Sequence, residues 1–107
     1  MSAKDFKPFS NQTDITTAGT RQSLTGNTDI SVMRVKAITI RAHSANTGRV
    51  YVGNRGVLNT NGYILDPGES ISISVLEVDN AFINVAEIWL DTETSGNDVS
   101  YFGLQET

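Results

Sequence analysis

The chain has no cysteine, a single histidine, two prolines and one tryptophan in 107 residues, and charged side chains make up only 19% of it. Without cysteine there are neither disulfides nor thiolate metal sites, so stability must come from packing and assembly. With His43 as the lone histidine, a cluster of imidazole ligands or a histidine pair is excluded. No apolar run approaches the roughly 20 residues that cross a bilayer. Met1–Ser10 also lacks the apolar stretch of a secretory signal, and the expectation is a soluble protein made in a cytoplasm. Eight basic residues against twelve acidic ones leave a net charge of -4, which offers no general attraction to nucleic acid or to an anionic membrane. Helices longer than about two turns are not expected either, because Gly, Asn, Thr, Ser and β-branched residues interrupt every window.

What is present is the grammar of short strands. Val50 and Val52 alternate with Arg49, Tyr51 and Gly53, and Ile71, Ile73 and Val75 alternate with Ser70, Ser72 and Ser74, the period of two of half-buried strands. Between these runs, Asp66-Pro67-Gly68-Glu69 carries type II turn chemistry, with proline fixing φ and glycine free to take φ > 0. Val32–Ala42 is the longest β-favouring run. Its apolar parity switches from Met33 and Val35 to Ile38 and Ile40, which predicts a bulge near Lys36 or Ala37. A short strand is expected at Arg21–Thr25 before a turn at Gly26-Asn27, and a connecting loop over Leu76–Asn84. Ala86–Thr92 and Val99–Leu104, joined by the turn Ser95–Asp98, read as a hairpin. Residues 1–14 show no clear period and are expected as an extended N-terminal arm, whose Phe6 and Phe9 flank Pro8 and suit docking on a neighbour. Residues 15–107 are then one all-β domain, a small antiparallel β-sandwich or jelly-roll-like fold of about six to eight strands.

Few residues in this frame can do chemistry. A catalytic triad would need His43 as its base, and His43 follows a predicted strand, where a surface loop residue is the simpler reading. The acids fall one per turn or strand end, and the group Asp91, Glu93 and Asp98 misses the spacing of a twelve-residue calcium loop. The glycines form neither GxGxxG nor a Walker loop, so they read as turn residues. No cofactor or metal is expected. Arg34, Lys36, Arg41, Arg49 and Arg55 concentrate five of the eight basic residues in one third of the chain. Such a group is either a solvated outer face or a contact with an acidic partner surface, to which Tyr51 adds an aromatic anchor. Trp89 falls on the side opposite Ile88 and Leu90, which suits a partner contact, a sugar platform or a second covered face.

The phrases ITIRAHSANTGRVYVGN, NGYILDPGESISI and AEIWLDTETSGNDVSYFGL, spanning about Ala37–Leu104, resemble small virion proteins of tailed bacteriophages. In that family similar strand, turn and hairpin phrases occur in capsid decoration (cement) proteins and related head and tail accessory domains. The resemblance implies a non-enzymatic structural protein on the capsid surface of a virion, binding the major capsid protein and itself, often as a homotrimer. The partner-contact candidates are then Phe6, Phe9, Arg34, Lys36, Arg49, Tyr51, Arg55 and Trp89. A tail or head-fibre accessory domain is an alternative of the same class. A carbohydrate-binding module is one of a different class, with Trp89 or Tyr51 as the stacking platform and Asp91 or Asn97 as polar partners.

Overall fold

A computed structural model describes residues 5–25 and 33–106; the expected turn at Gly26-Asn27, the start of the Val32–Ala42 run and the first four residues of the arm lie outside them. About half the chain is strand and 3% is helix, and antiparallel sheets pack together as a small sandwich. The strands are β1 (Phe6–Ile15), β2 (Gln22–Ser23), β3 (Arg34–Val35), β4 (Ala37–Ala42), β5 (Val50–Gly53), β6 (Tyr63–Leu65), β7 (Ser70–Ser74), β8 (Ile83–Asn84), β9 (Trp89–Thr92) and β10 (Asn97–Glu106).

One four-stranded sheet has the order β1-β10-β4-β7, the other the order β2-β9-β5-β6, and β3 pairs with β8 beside them. With that small pair set aside, first strand meets last, second meets second to last, and the nesting continues inward to β5 and β6. This is jelly-roll order. Ile15, Ile38, Ile40, Val99 and Tyr101 of the first sheet and Val50, Val52, Leu65 and Leu90 of the second form one buried cluster between them.

The parity switch falls at Lys36, but as a change of sheet rather than the expected bulge: Val35 is buried in β3, which pairs with β8, and Ile38, Ile40 and Ala42 take the inward positions of β4, which pairs with β10 and β7. The turn at Asp66 is also present: Glu69 N–H donates to Asp66 O at 2.9 Å, Gly68 has φ +87°, and the Glu69 carboxylate accepts from Asp66 N at 2.8 Å.

Three parts differ from the expectation. Residues 6–14, expected as an arm reaching for a neighbour, are extended but pair along their full length with β10 of the same chain. Lys7, Phe9, Asn11, Thr13 and Ile15 share one side of β1, but Lys7 and Asn11 stay exposed, so no apolar period shows. Thr13 is nevertheless buried, with its hydroxyl donating to Leu24 O at 2.6 Å.

The expected hairpin of β9 with β10 does not form. The two strands lie in different sheets, and each already has neighbours on both sides. Alternation tells which residues face the core but not from which sheet they face it. Finally, Ala86–Thr92 begins as one 3-10 turn, Val85–Glu87, because the Asn84 side chain caps Ala86 N at 3.2 Å; the strand starts only at Trp89.

Candidate functional site

His43 borders a small hollow with Arg41, Ser44, Ala45 and Ser100, and no carboxylate lines it. Among the described residues no group of three His, Cys, Asp or Glu could hold a metal ion. Asp91, an acid of the sugar-binding alternative, is buried and engaged: its Oδ1 accepts from Gly19 N at 2.9 Å and Thr92 N at 2.8 Å. Asn97 is likewise buried, donating to Gly48 O at 3.2 Å and Thr92 Oγ1 at 2.9 Å while accepting from Thr47 N at 3.1 Å. Asn46 grips the backbone of Asp98, accepting from its N–H at 2.8 Å and donating to its carbonyl at 2.9 Å. These side chains tie the loop before β5 to the crossing from β9 to β10. The Asn46-Thr47-Gly48 phrase is thus a clasp between the sheets, where unpaired backbone groups would otherwise be buried.

The contact candidates scatter. Lys36 is only 3% exposed, so it does not share an outer face with exposed Arg34. Its Nζ donates to Val78 O at 3.0 Å and Ala81 O at 2.7 Å and sits 4.4 Å from the centre of the Phe82 ring. Those partners compensate the loss of water around a buried ammonium. Tyr51 is 6% exposed. Residues 54–62 fold back over the outer side of β5, seating Val57 beside Gly53 and Gly62 against the Tyr51 Cβ, while Ala18 and Gly19 close the other side. Arg49 pairs with Asp66 at 3.1 Å on an exposed edge, where such a pair contributes little. The Arg55 guanidinium lies 5.1 Å from the centre of the half-buried Trp89 ring, whose Nε1 is buried without a hydrogen-bond partner. Phe9 is half-buried over Gly103, with its ring edge-on to Tyr101 at 6.3 Å. Phe6 remains exposed at the start of β1.

Among the described residues, two surfaces stay open besides Leu58, Tyr63 and Ile64 around β6. At the end where β1 begins and β7 stops, Leu76, Val78 and Phe82 are exposed on the 76–82 loop that Lys36 holds from below, with Glu77 and Asp79 between them. The second is the outer face of the β1-β10-β4-β7 sheet. Register stacks its outward residues in rows: Pro8, Leu104, Ala37 and Ser74; then Ser10, Phe102, Thr39 and Ser72; then Gln12, Ser100, Arg41 and Ser70. Phe102 is 54% exposed at the centre, and a groove of about 580 Å³ runs beside it past Gln12, Thr39, Arg41 and Ser100. On the buried side, burial pushes the Tyr101 phenol above its usual 10.0, and a hydrogen bond with the Asn11 side chain opposes that rise.

The β1 edge is closed to strand addition by its own residues. Pro8 has no N–H, Gln12 N donates to the Asn11 side chain at 2.8 Å, and Asp14 O accepts from Gln22 Nε2 at 2.9 Å.

Phe102, Leu76, Val78 and Phe82 were not singled out by the sequence reading. The signal was there for Phe102, which has the opposite parity to Val99 and Tyr101. For the loop residues there was none, because exposure in a loop follows no period. No family model matches this chain, and no curated protein matches it.

Proposed function

We propose that this chain is a non-enzymatic structural protein that docks on the outside of a bacteriophage capsid and stabilises it. The observation that carries the reading is the Leu76–Phe82 loop, which presents three exposed apolar side chains on a support fixed by a buried lysine. A loop held in one conformation before binding loses less entropy on docking than a mobile one. Exposed apolar side chains grouped on a soluble fold mark contact surfaces. The phage-like phrases add the identity of the partner, and the jelly-roll order is one that viral capsid domains use, though fold alone does not assign function. Self-association as a homotrimer belongs to the same proposal, since repeated weak contacts add up in a symmetric assembly.

Purified protein added to undecorated capsids is the test. Saturable binding with a gain in heat resistance is expected, and Leu76→Ser with Val78→Ser abolishes both while leaving the melting temperature of the free protein near that of the parent. Absence of saturable binding by the parent protein rejects the reading.

A further inference from the structure

We propose that the outer face of the β1-β10-β4-β7 sheet is a binding site for a carboxylate-bearing sugar, with Arg41 holding the carboxylate and Phe102 the sugar ring. This does not rest on the capsid reading, because it uses a different surface and is tested on the free protein.

The groove lies in the middle of a sheet. The backbone groups of β10 and β4 are committed to ladders on both sides. An extended peptide added through its main chain has nothing to pair with here, and the exposed edge at β1 is blunted. Recognition must therefore use side chains, and those present form a coherent set. Phe102 offers an open aromatic face. Gln12, Thr39 and Ser100 supply an amide and hydroxyls along the groove. Thr39 Oγ1 is oriented by Ser72 Oγ at 2.8 Å. Aromatic face plus planar polar donors is the chemistry that reads a sugar ring, apolar on one side and hydroxyl-rich at its rim.

Arg41 selects the charge. It is exposed, and no carboxylate lines either this groove or the adjoining hollow at His43 that shares Arg41 and Ser100 with it. Among the described residues it forms no ion pair, so in a chain of net charge -4 its guanidinium is available to bind a carboxylate through two parallel hydrogen bonds. Arg41 is diagonal to Phe102 across β4 and β10, about 7–8 Å between backbones, which a single pyranose with an exocyclic carboxylate bridges. One arginine does not suit a polyanion such as nucleic acid, whose binding draws on many cations. Asp14 and Asp98 pair in the row next to Arg41, on the side away from Phe102, so they repel a carboxylate there and favour the Phe102 side of Arg41.

Titration of the ¹⁵N-labelled protein with a galacturonic acid trimer tests this, with the neutral galactose trimer and oligoglutamate of equal charge as comparisons. Expected are amide shifts confined to Thr39, Arg41, Ser100, Phe102 and their neighbours. Arg41→Ala and Phe102→Ala each weaken binding about tenfold or more, Arg41→Lys falls between, and Arg49→Ala leaves it unchanged. Both lost positions are exposed, and unchanged melting temperatures show that the variants fold. The proposal is overturned by an absence of shifts up to about 10 mM acid trimer, beyond the range of a millimolar site. Shifts centred on Trp89, binding untouched by Arg41→Ala, or equal affinity for the neutral trimer or the peptide overturn it as well.

Discussion

The outer faces of the two sheets begin alike and end differently. Each has an aromatic residue on a central strand, Tyr51 on β5 and Phe102 on β10, alternating with core residues. Tyr51 is 6% exposed and Phe102 54%. The difference is where the chain spends its loops. Residues 54–62 and 16–20 lie over the β2-β9-β5-β6 sheet, held by Leu58 N to Asn61 Oδ1 at 2.7 Å and by Gly19 N to Asp91 Oδ1 at 2.9 Å. Among the described residues no comparable loop crosses the face at Phe102, whose row on the sheet is completed by Ser10, Thr39 and Ser72. The outer face is therefore covered at Tyr51, although Ile64 opposite it stays 42% exposed, whereas the face at Phe102 is open.

Truncation measures this asymmetry most strongly. Tyr51→Ala removes a buried ring and should cost about 3 kcal/mol or more in urea unfolding, whereas Phe102→Ala, at a position of the same kind in the other sheet, should stay within about 0.5 kcal/mol. Similar costs for the two would show that the loop cover contributes nothing. A smaller loss is expected from tightening the cover. In Gly62→Ala a new Cβ would stand 2.7 Å from the Tyr51 Cβ and 3.0 Å from Leu58 O, and overpacking of this kind costs about 1–3 kcal/mol; an unchanged midpoint would mean that the 54–62 loop yields freely.

The smallest effect concerns pH. The folded chain holds the Tyr101 proton after the unfolded chain has released its own, because burial raises the phenol above 10.0. That contribution is full below the unfolded value and is lost as pH rises through the folded one. Unfolding at about pH 9 and about pH 11 should therefore show a shallower decline for Tyr101→Phe than for the parent. Parallel declines would show that this side of the sheet is not desolvated.

Sequence alone carried the strands whose alternation is clean. Ser70–Ser74 and Val50–Gly53 are strands, the Asp66 turn leads from β6 into β7, and the parity switch at Lys36 is where the chain passes from one sheet to another. It failed where a polar side chain replaces an apolar one at an inward position, as Thr13 does in β1. Parity also left open which sheet a strand joins, so β9 and β10 read as a hairpin. For the candidate surfaces the lesson is sharper. Lys36 and Tyr51 have the residue types of a contact patch, yet one braces a loop and the other lies under one.

The amino-acid sequence by itself determined the all-β class, the absence of cysteine and the limit of one histidine, and the residues that alternate inward on the regular strands. These follow from side-chain identity and a two-residue period, both local properties. Tertiary structure decided the nested jelly-roll pairing, the self-capping of the β1 edge, and which outer face is covered. Those depend on contacts between residues far apart in the chain, such as Gly19 with Asp91 and Asn46 with Asp98. Only when such segments meet does an outward side chain become either buried structure, as Tyr51 is, or open surface, as Arg41 and Phe102 are.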